Sequence, residues 1–356
     1  MVKEIHMLGN QLGPTIIKYF CLDKKLYCLI WVGMFSLSCQ AQESDLWIKY
    51  AGKSGPGEGK NIVLVSGDDE YRSEEGLPML AKILSERYGF NCTVLFAIDP
   101  ETGEVTPNYQ KNIPGLEQLA TADLMIMFLR FRDLPDSQMK HIDAYVRSGK
   151  PIIGLRTSTH AFNFSDDKNS SYAKYGWRHK GGSWEGGFGR QVLGETWVSH
   201  HGHHGKEGTR ALIDGINQAH DHPIVRGVKD IWGPTDVYTV KNLPDAANVL
   251  AYGQSTRGMS PEAELMWEKA LMPIAWTLNY TGEDGKTSKI FSTTMGASED
   301  LESRDLRRMI INASFWCLGM ENEVKEDMNV DYVGEYHPTK FGFDNFKRGL
   351  KPADFR

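Results

Sequence analysis

NIVLVSGDDEYRSEEGLPMLAKILSERYGF, residues 61–90, decides the fold. Ile62-Val63-Leu64-Val65 is a short continuous apolar run, the pattern of a strand buried on both faces of a parallel sheet. Ser73 can then cap a helix with Glu74 and Glu75 in its first turn and Pro78 near its start. Leu77, Leu80, Leu84 and Tyr88 share one face of that helix, and Gly89 is its stop. A strand followed directly by an amphipathic helix is the opening of a βαβ unit.

Downstream the alternation repeats. Cys92–Ala97 and Asp123–Leu129 read as strands. Pro135–Arg147 reads as a helix with Met139, Ile142 and Val146 inward and Gly149 as its stop, and Pro151–Leu155 as another strand. Repeated βαβ spacing predicts an α/β fold with a doubly wound, mainly parallel, flavodoxin-like sheet. Ala211–Ile216, Val249–Ala251, Pro273–Leu278 and Ile290–Thr293 add strands. Ser298 is placed to cap a closing helix that runs through Cys317, with Leu301, Leu306, Met309, Ile310, Ala313 and Trp316 on its buried face. Residues 157–208 are rich in Gly, Ser, His and Trp without a sustained period, which predicts long functional loops over the carboxyl ends of the strands. The α/β domain is thus expected over 61–320, followed by a polar tail, 321–356, packing on it.

Upstream, residues 42–60 read as a linker, glycine-rich from Ala51 to Lys60, and residues 1–41 as an export signal. Lys24-Lys25 form the positive region and Leu26–Ser38 an uncharged apolar run too short for an ordinary membrane span. Cleavage after Ala41 would release a periplasmic protein, whereas lipidation of Cys39 would tether it to a membrane.

The 40 Lys+Arg against 46 Asp+Glu give a net charge of −6 with no basic block, which disfavours nucleic acid and leaves small-molecule ligands as the expected partners. Three of the five cysteines lie in the leader. Cys92 and Cys317 sit in apolar surroundings and read as core.

Ligands of an open parallel sheet bind outside the carboxyl ends of its strands. After the first strand comes Ser66-Gly67-Asp68-Asp69-Glu70-Tyr71-Arg72, which lacks a dinucleotide glycine fingerprint and whose carboxylates would repel a phosphate. After later strands come Arg130-Phe131-Arg132-Asp133 and Arg156-Thr157-Ser158-Thr159-His160, cations and hydroxyls suited to an anion- or hydroxyl-binding rim. Ser158 falls where a nucleophile elbow would, but GxSxG is absent and so is a cysteine. Val198-Ser199-His200-His201-Gly202-His203-His204-Gly205 holds four histidines in five positions, so His200, His201 and His203 are candidate ligands for a divalent metal such as zinc. The same run equally suits a catalytic histidine or a solvated loop.

In order along the chain, Asn61–Asp69, Pro151–Phe162, the glycine-rich approach to His200-His201, His222-Pro223-Ile224, Asp236-Val237-Tyr238, Met272–Thr277 and Phe291–Ala297 resemble the trehalose-utilisation (ThuA-like) family. The resemblance implies a class I glutamine amidotransferase-like fold without the amidotransferase cysteine, and hence without that activity. It departs from the family's pattern where Arg156 stands in place of a histidine and where Gly296-Ala297 stands in place of Gly-His. Family members are often encoded with oxidoreductases that make 3-keto sugars, which implies a carbohydrate substrate. A ketone at C3 acidifies the C2 proton, so elimination, hydration or hydrolysis needs a base and positive charge over the enolate oxygen. His160, His201, Arg156 and Asp236 are the candidate catalytic residues. Asp69, Glu70, Tyr71, Arg130, Arg132, Ser158 and Tyr238 are candidates to grip hydroxyls, and Trp184, Trp197 or Trp276 to stack on a sugar ring. A non-catalytic carbohydrate-binding protein is the alternative.

Overall fold

The computed structural model describes residues 45–164, 169–212 and 221–356. The expected export signal and Cys39 lie outside the described residues, and the fold occupies the compact unit Leu46–Arg356. Ten strands among the described residues make one sheet: β1 (Trp47–Tyr50), β2 (Asn61–Gly67), β3 (Asn91–Leu95), β4 (Leu124–Leu129), β5 (Ile152–Leu155), β6 (Thr209–Leu212), β7 (Trp232–Gly233), β8 (Asn248–Ser255), β9 (Met272–Thr281) and β10 (Thr287–Thr293). Their order is β1-β3-β2-β4-β5-β10-β9-β8-β6-β7.

The half β3-β2-β4-β5-β10 is parallel, the doubly wound core that the βαβ spacing predicts. Beyond β10 the sheet continues antiparallel through β9, β8, β6 and β7. Helix α1 (Ser73–Tyr88) joins β2 to β3, α2 (Asp136–Arg147) joins β4 to β5, and α3 (Arg304–Cys317) follows β10. Alternation along β2 sends Ile62 and Leu64 to the face covered by α1 and α3, and Val63 and Val65 to the face covered by α2 with Phe162, Tyr175, Phe188 and Leu193.

Two expectations shift. Residues 42–60 are not all linker, because Trp47 and Ile48 are buried and β1 pairs antiparallel with β3 at the sheet edge. The closing helix starts at Arg304 with Ser303 as its cap, not at Ser298. Buried Asp300 draws the preceding residues into a separate turn by accepting from the Gly296 and Ala297 amides and from Thr235. Of the strand expected at Ala211–Ile216, the part beyond Leu212 lies outside the described residues.

Strand order reverses between β2 and β4, since β3 lies on one side of β2 and β4 and β5 on the other. This switch point opens a crevice between the turns that follow them. Non-glycine residues with positive φ among those described are Arg72 (58°), Phe131 (49°), Arg156 (44°) and Asp344 (58°). Three of them are the turns after β2, β4 and β5, and the fourth adjoins the tail residue that reaches the same place. Such backbone strain concentrates where a site over-determines its chain.

Candidate functional site

Arg156 follows β5 in the strained conformation of an elbow, and its guanidinium is fully buried. Nη1 donates to the Asp236 carbonyl (2.8 Å) and the Thr294 carbonyl (2.7 Å), and Nη2 to Tyr71 Oη (3.2 Å) and Asp236 Oδ1 (3.2 Å). The rings of Tyr71 and Tyr238 pack on it, with centroids 4.5 and 4.0 Å from the guanidinium carbon. Burial opposes this charge, but Tyr238, Tyr71 and Asp236 outweigh burial and raise its pKa well above the usual value. Arg156 is therefore a positioning residue that fixes the carboxylate of Asp236.

Asp236 reaches the histidine run because residues 200–202 pair with its segment. His200 bridges Tyr238, and the His201 and Gly202 amides donate to the Val237 carbonyl. His200 Nδ1 donates to Asp236 Oδ2 at 2.7 Å and His204 Nδ1 to Oδ1 at 3.2 Å. His204 Nε2 lies 3.0 Å from Glu70 Oε1, so that imidazole bridges two carboxylates. Hydrogen bonds to Asp236 and Glu70 raise it to about 9 against the pull of burial, making it a cation at neutral pH. Burial would raise Asp236, but the bonds from His200 and His204 and the charge of Arg156 hold its carboxyl well below the usual range.

Glu70, His200, His204 and Tyr238 of this group form one wall of a cavity of about 410 Å³. Its polar lining is Glu70, Arg130, His160, Arg178, His200 and His204, and its aromatic lining Phe131, Trp177, Trp197, Tyr238 and Phe343. Arg130 pairs with Asp69 at 2.8 Å and Glu70 at 3.7 Å, and lies between the rings of Phe131 (4.6 Å) and Phe343 (4.9 Å). Burial, with Arg130, Arg156 and His200 nearby, holds the His160 imidazole well below its usual value and so neutral. The tail closes the rim: the Gly342 amide donates to the Glu70 carbonyl, and Phe341 stacks on Tyr71 at 5.5 Å.

Residues 61–317 match the family described as ThuA, trehalose utilisation. The chain belongs to the ThuA family. A ThuA-like protein from Bacteroides uniformis ATCC 8492 aligns at TM-score 0.44 and 14% identity over 74% of this chain and 93% of that one. Another, from Parabacteroides merdae ATCC 43184, aligns at 0.44 and 13% over 80% and 98%. No curated relative matches the chain.

Within this ThuA domain the expected site residues divide. Glu70, Arg130, His160, His200 and Tyr238 line the cavity, with Asp69, Tyr71, Arg156 and Asp236 immediately behind. Others lie elsewhere. His201 turns out of the cavity, its Nε2 2.8 Å from the Ala270 carbonyl, and the His203 amide donates to Glu207. The metal group expected from His200, His201 and His203 is thus replaced: among the described residues His200, His204 and Asp236 offer ligand atoms within 4.8 Å of one another. Ser158 is buried and donates to the Met127 carbonyl, so it lies outside the cavity lining where it would grip a sugar hydroxyl. Arg132 is buried and donates to the Arg130, Pro107 and Tyr109 carbonyls, shaping the β4 turn. Trp276 is core, its indole donating to the Leu193 carbonyl, and Trp184 packs on Tyr175 outside the lining. His204, Phe131, Trp177 and Phe343 were not singled out from sequence. The histidine run carried a signal for His204 alone.

Proposed function

We propose that this protein is an exported carbohydrate-processing enzyme that removes the proton beside the ketone of a keto-glycoside and releases the anomeric substituent. The observation that carries the reading is the shared Asp236 carboxylate, which orients His200 through Nδ1 at the wall of an aromatic-lined cavity. A carboxylate behind an imidazole fixes its tautomer, leaving Nε2 as the proton acceptor. In the proposed step the C2 proton passes to His200 Nε2 and its electron pair forms the enolate. Arg130 and His204 supply positive charge for the enolate oxygen. The enolate then re-forms the ketone, with the double bond moving to C1–C2 as the C1–O bond breaks. The departing alcohol takes a proton from a cavity acid, for which charged His204 is the candidate. Trp197, Trp177 and Phe343 suit the apolar face of a pyranose. Export is supported by the sequence of residues 24–41 alone.

A second reading has one specific observation behind it. Two imidazoles and a carboxylate with ligand atoms within 4.8 Å are a donor set that suits zinc, with Glu70 behind His204 as an outer partner. Bound there, zinc would supply the positive charge for the enolate oxygen. Elemental analysis of untagged protein against His200→Ala and His204→Ala tests it.

Aglycone release from a p-nitrophenyl 3-keto-glucoside tests the main proposal. The wild type releases p-nitrophenol and His200→Ala does not. Absence of release from a panel of keto-glycosides, with and without zinc, while sugars still bind, would favour a non-catalytic carbohydrate-binding protein instead.

A further inference from the structure

Trp177 borders two cavities. Trp177 and Arg178 also border a second cavity of about 690 Å³, bounded further by His179, Lys180, Glu185 and Arg190. The Arg178 guanidinium lies over the Trp177 ring, 4.1 Å from its centroid, so this cation–aromatic pair is shared by both chambers. The volume falls in the range of small-molecule sites.

Its charge differs from that of the first chamber. There, Arg130 is matched by Asp69 and Glu70, and His204 by Glu70 and Asp236, the shared Arg178 being the exception. In the annex Arg190 is neutralised by the buried carboxylate of Glu195, and exposed Arg178 and Lys180, which have no carboxylate partner among the described residues, outnumber the exposed carboxylate of Glu185. In a chain of net charge −6, an unmatched basic corner beside the cavity stands out. The corner is also held in place. The His179 amide donates to the Gly176 carbonyl and the Gly186 amide to the His179 carbonyl. At Gly187, with φ of +66°, a Cβ would lie 2.1 Å from the Gly176 carbonyl oxygen, so only glycine lets the turn close on itself.

We propose that this annex binds an anionic group, a uronic acid carboxylate or a sulfate ester, on the part of the carbohydrate beyond the reacting ring. The proposal rests on the carbohydrate reading above. Exposed cations of this kind act on selectivity and on salt dependence.

Calorimetric titration of the protein with trehalose, a glucuronic-acid-containing disaccharide and a sulfated trehalose tests it. At about 20 mM NaCl one acidic sugar is expected to bind at least about ten-fold tighter than trehalose, with the preference collapsing at about 500 mM. Which of the two is preferred identifies the anion. Lys180→Glu is expected to bring the acidic-to-neutral affinity ratio to near unity, and Arg178→Ala to lower it. Equal binding of neutral and acidic sugars, or a ratio unchanged in both variants, overturns the annex while leaving the carbohydrate reading intact. No binding of any of the three overturns the annex, and the carbohydrate reading is decided separately by the p-nitrophenyl 3-keto-glucoside.

Discussion

Replacing Arg156 by Met keeps the side-chain length and removes the cation behind Asp236. The structure sets the size of the effect. Removing one partner of a buried ion pair costs about 3–5 kcal/mol, because the other charge stays buried. Two carbonyls, of Asp236 and Thr294, also lose their shared donor. His200 and His204 still donate to Asp236, which keeps the expected loss inside that range rather than above it. Against a total stability of about 5–15 kcal/mol, this brings the domain close to the edge of folding. A change of 1 kcal/mol shifts Tm by about 2–4 °C in large domains, so the expected drop is about 6–20 °C. Thermal unfolding at neutral pH followed by circular dichroism measures it. Arg156→Met combined with Asp236→Asn should be less destabilised than the sum of the single variants, since no orphan charge remains. A loss below about 1 kcal/mol, or strict additivity, would refute the view that Arg156 exists to hold that carboxylate.

Glu74 is buried and its carboxyl is raised to about 8 by burial, with Arg72 opposing. The folded state keeps a proton that the unfolded chain has released, so stability falls as pH rises from about 4.5 to about 8, by up to about 1.4 kcal/mol per unit. Glu74→Gln should therefore gain on the wild type in urea unfolding between pH 5 and pH 8, and a constant difference would contradict the assignment. Ser158→Ala should cost about 1 kcal/mol through the lost bond to Met127 yet leave turnover within about two-fold; a total loss of activity would revive serine chemistry. Phe343 is 53% exposed at the cavity rim, so Phe343→Ala should raise KM several-fold while changing stability by less than about 0.5 kcal/mol. Steady-state kinetics and a melt decide whether KM or kcat responds.

The parallel half of the sheet was legible because continuous apolar runs and helical faces are local patterns, as β2 and α1 show. β1 was hidden by the glycine-rich stretch beside it, and its partner β3 lies across α1 in the chain, so nothing local marked the pair. The strands β8, β9 and β10 could be read, but their antiparallel pairing could not, since strand order is a long-range property. At the site, the family resemblance located Asp236, and strand-end position located Glu70, Arg130 and Arg156. It did not separate a cation facing the cavity, Arg130, from one enclosed behind it, Arg156. That distinction depends on Tyr71 and Tyr238, which arrive from distant segments. His204 was one of four similar histidines, and only its contacts with Glu70 and Asp236 single it out. Trp276 shows the reverse error: a tryptophan within a strand, offered as a sugar platform, is fully buried core.

The most direct test of the central claim is the exchange of the proton beside the ketone. A 3-keto-glucoside in deuterated buffer, followed by proton NMR, reports abstraction at C2 whether or not the glycosidic bond then breaks. Loss of the C2 signal is expected with wild-type protein, and a rate lower by about a hundred-fold or more with His200→Ala. No exchange above the buffer rate, or equal exchange in the two proteins, would contradict it.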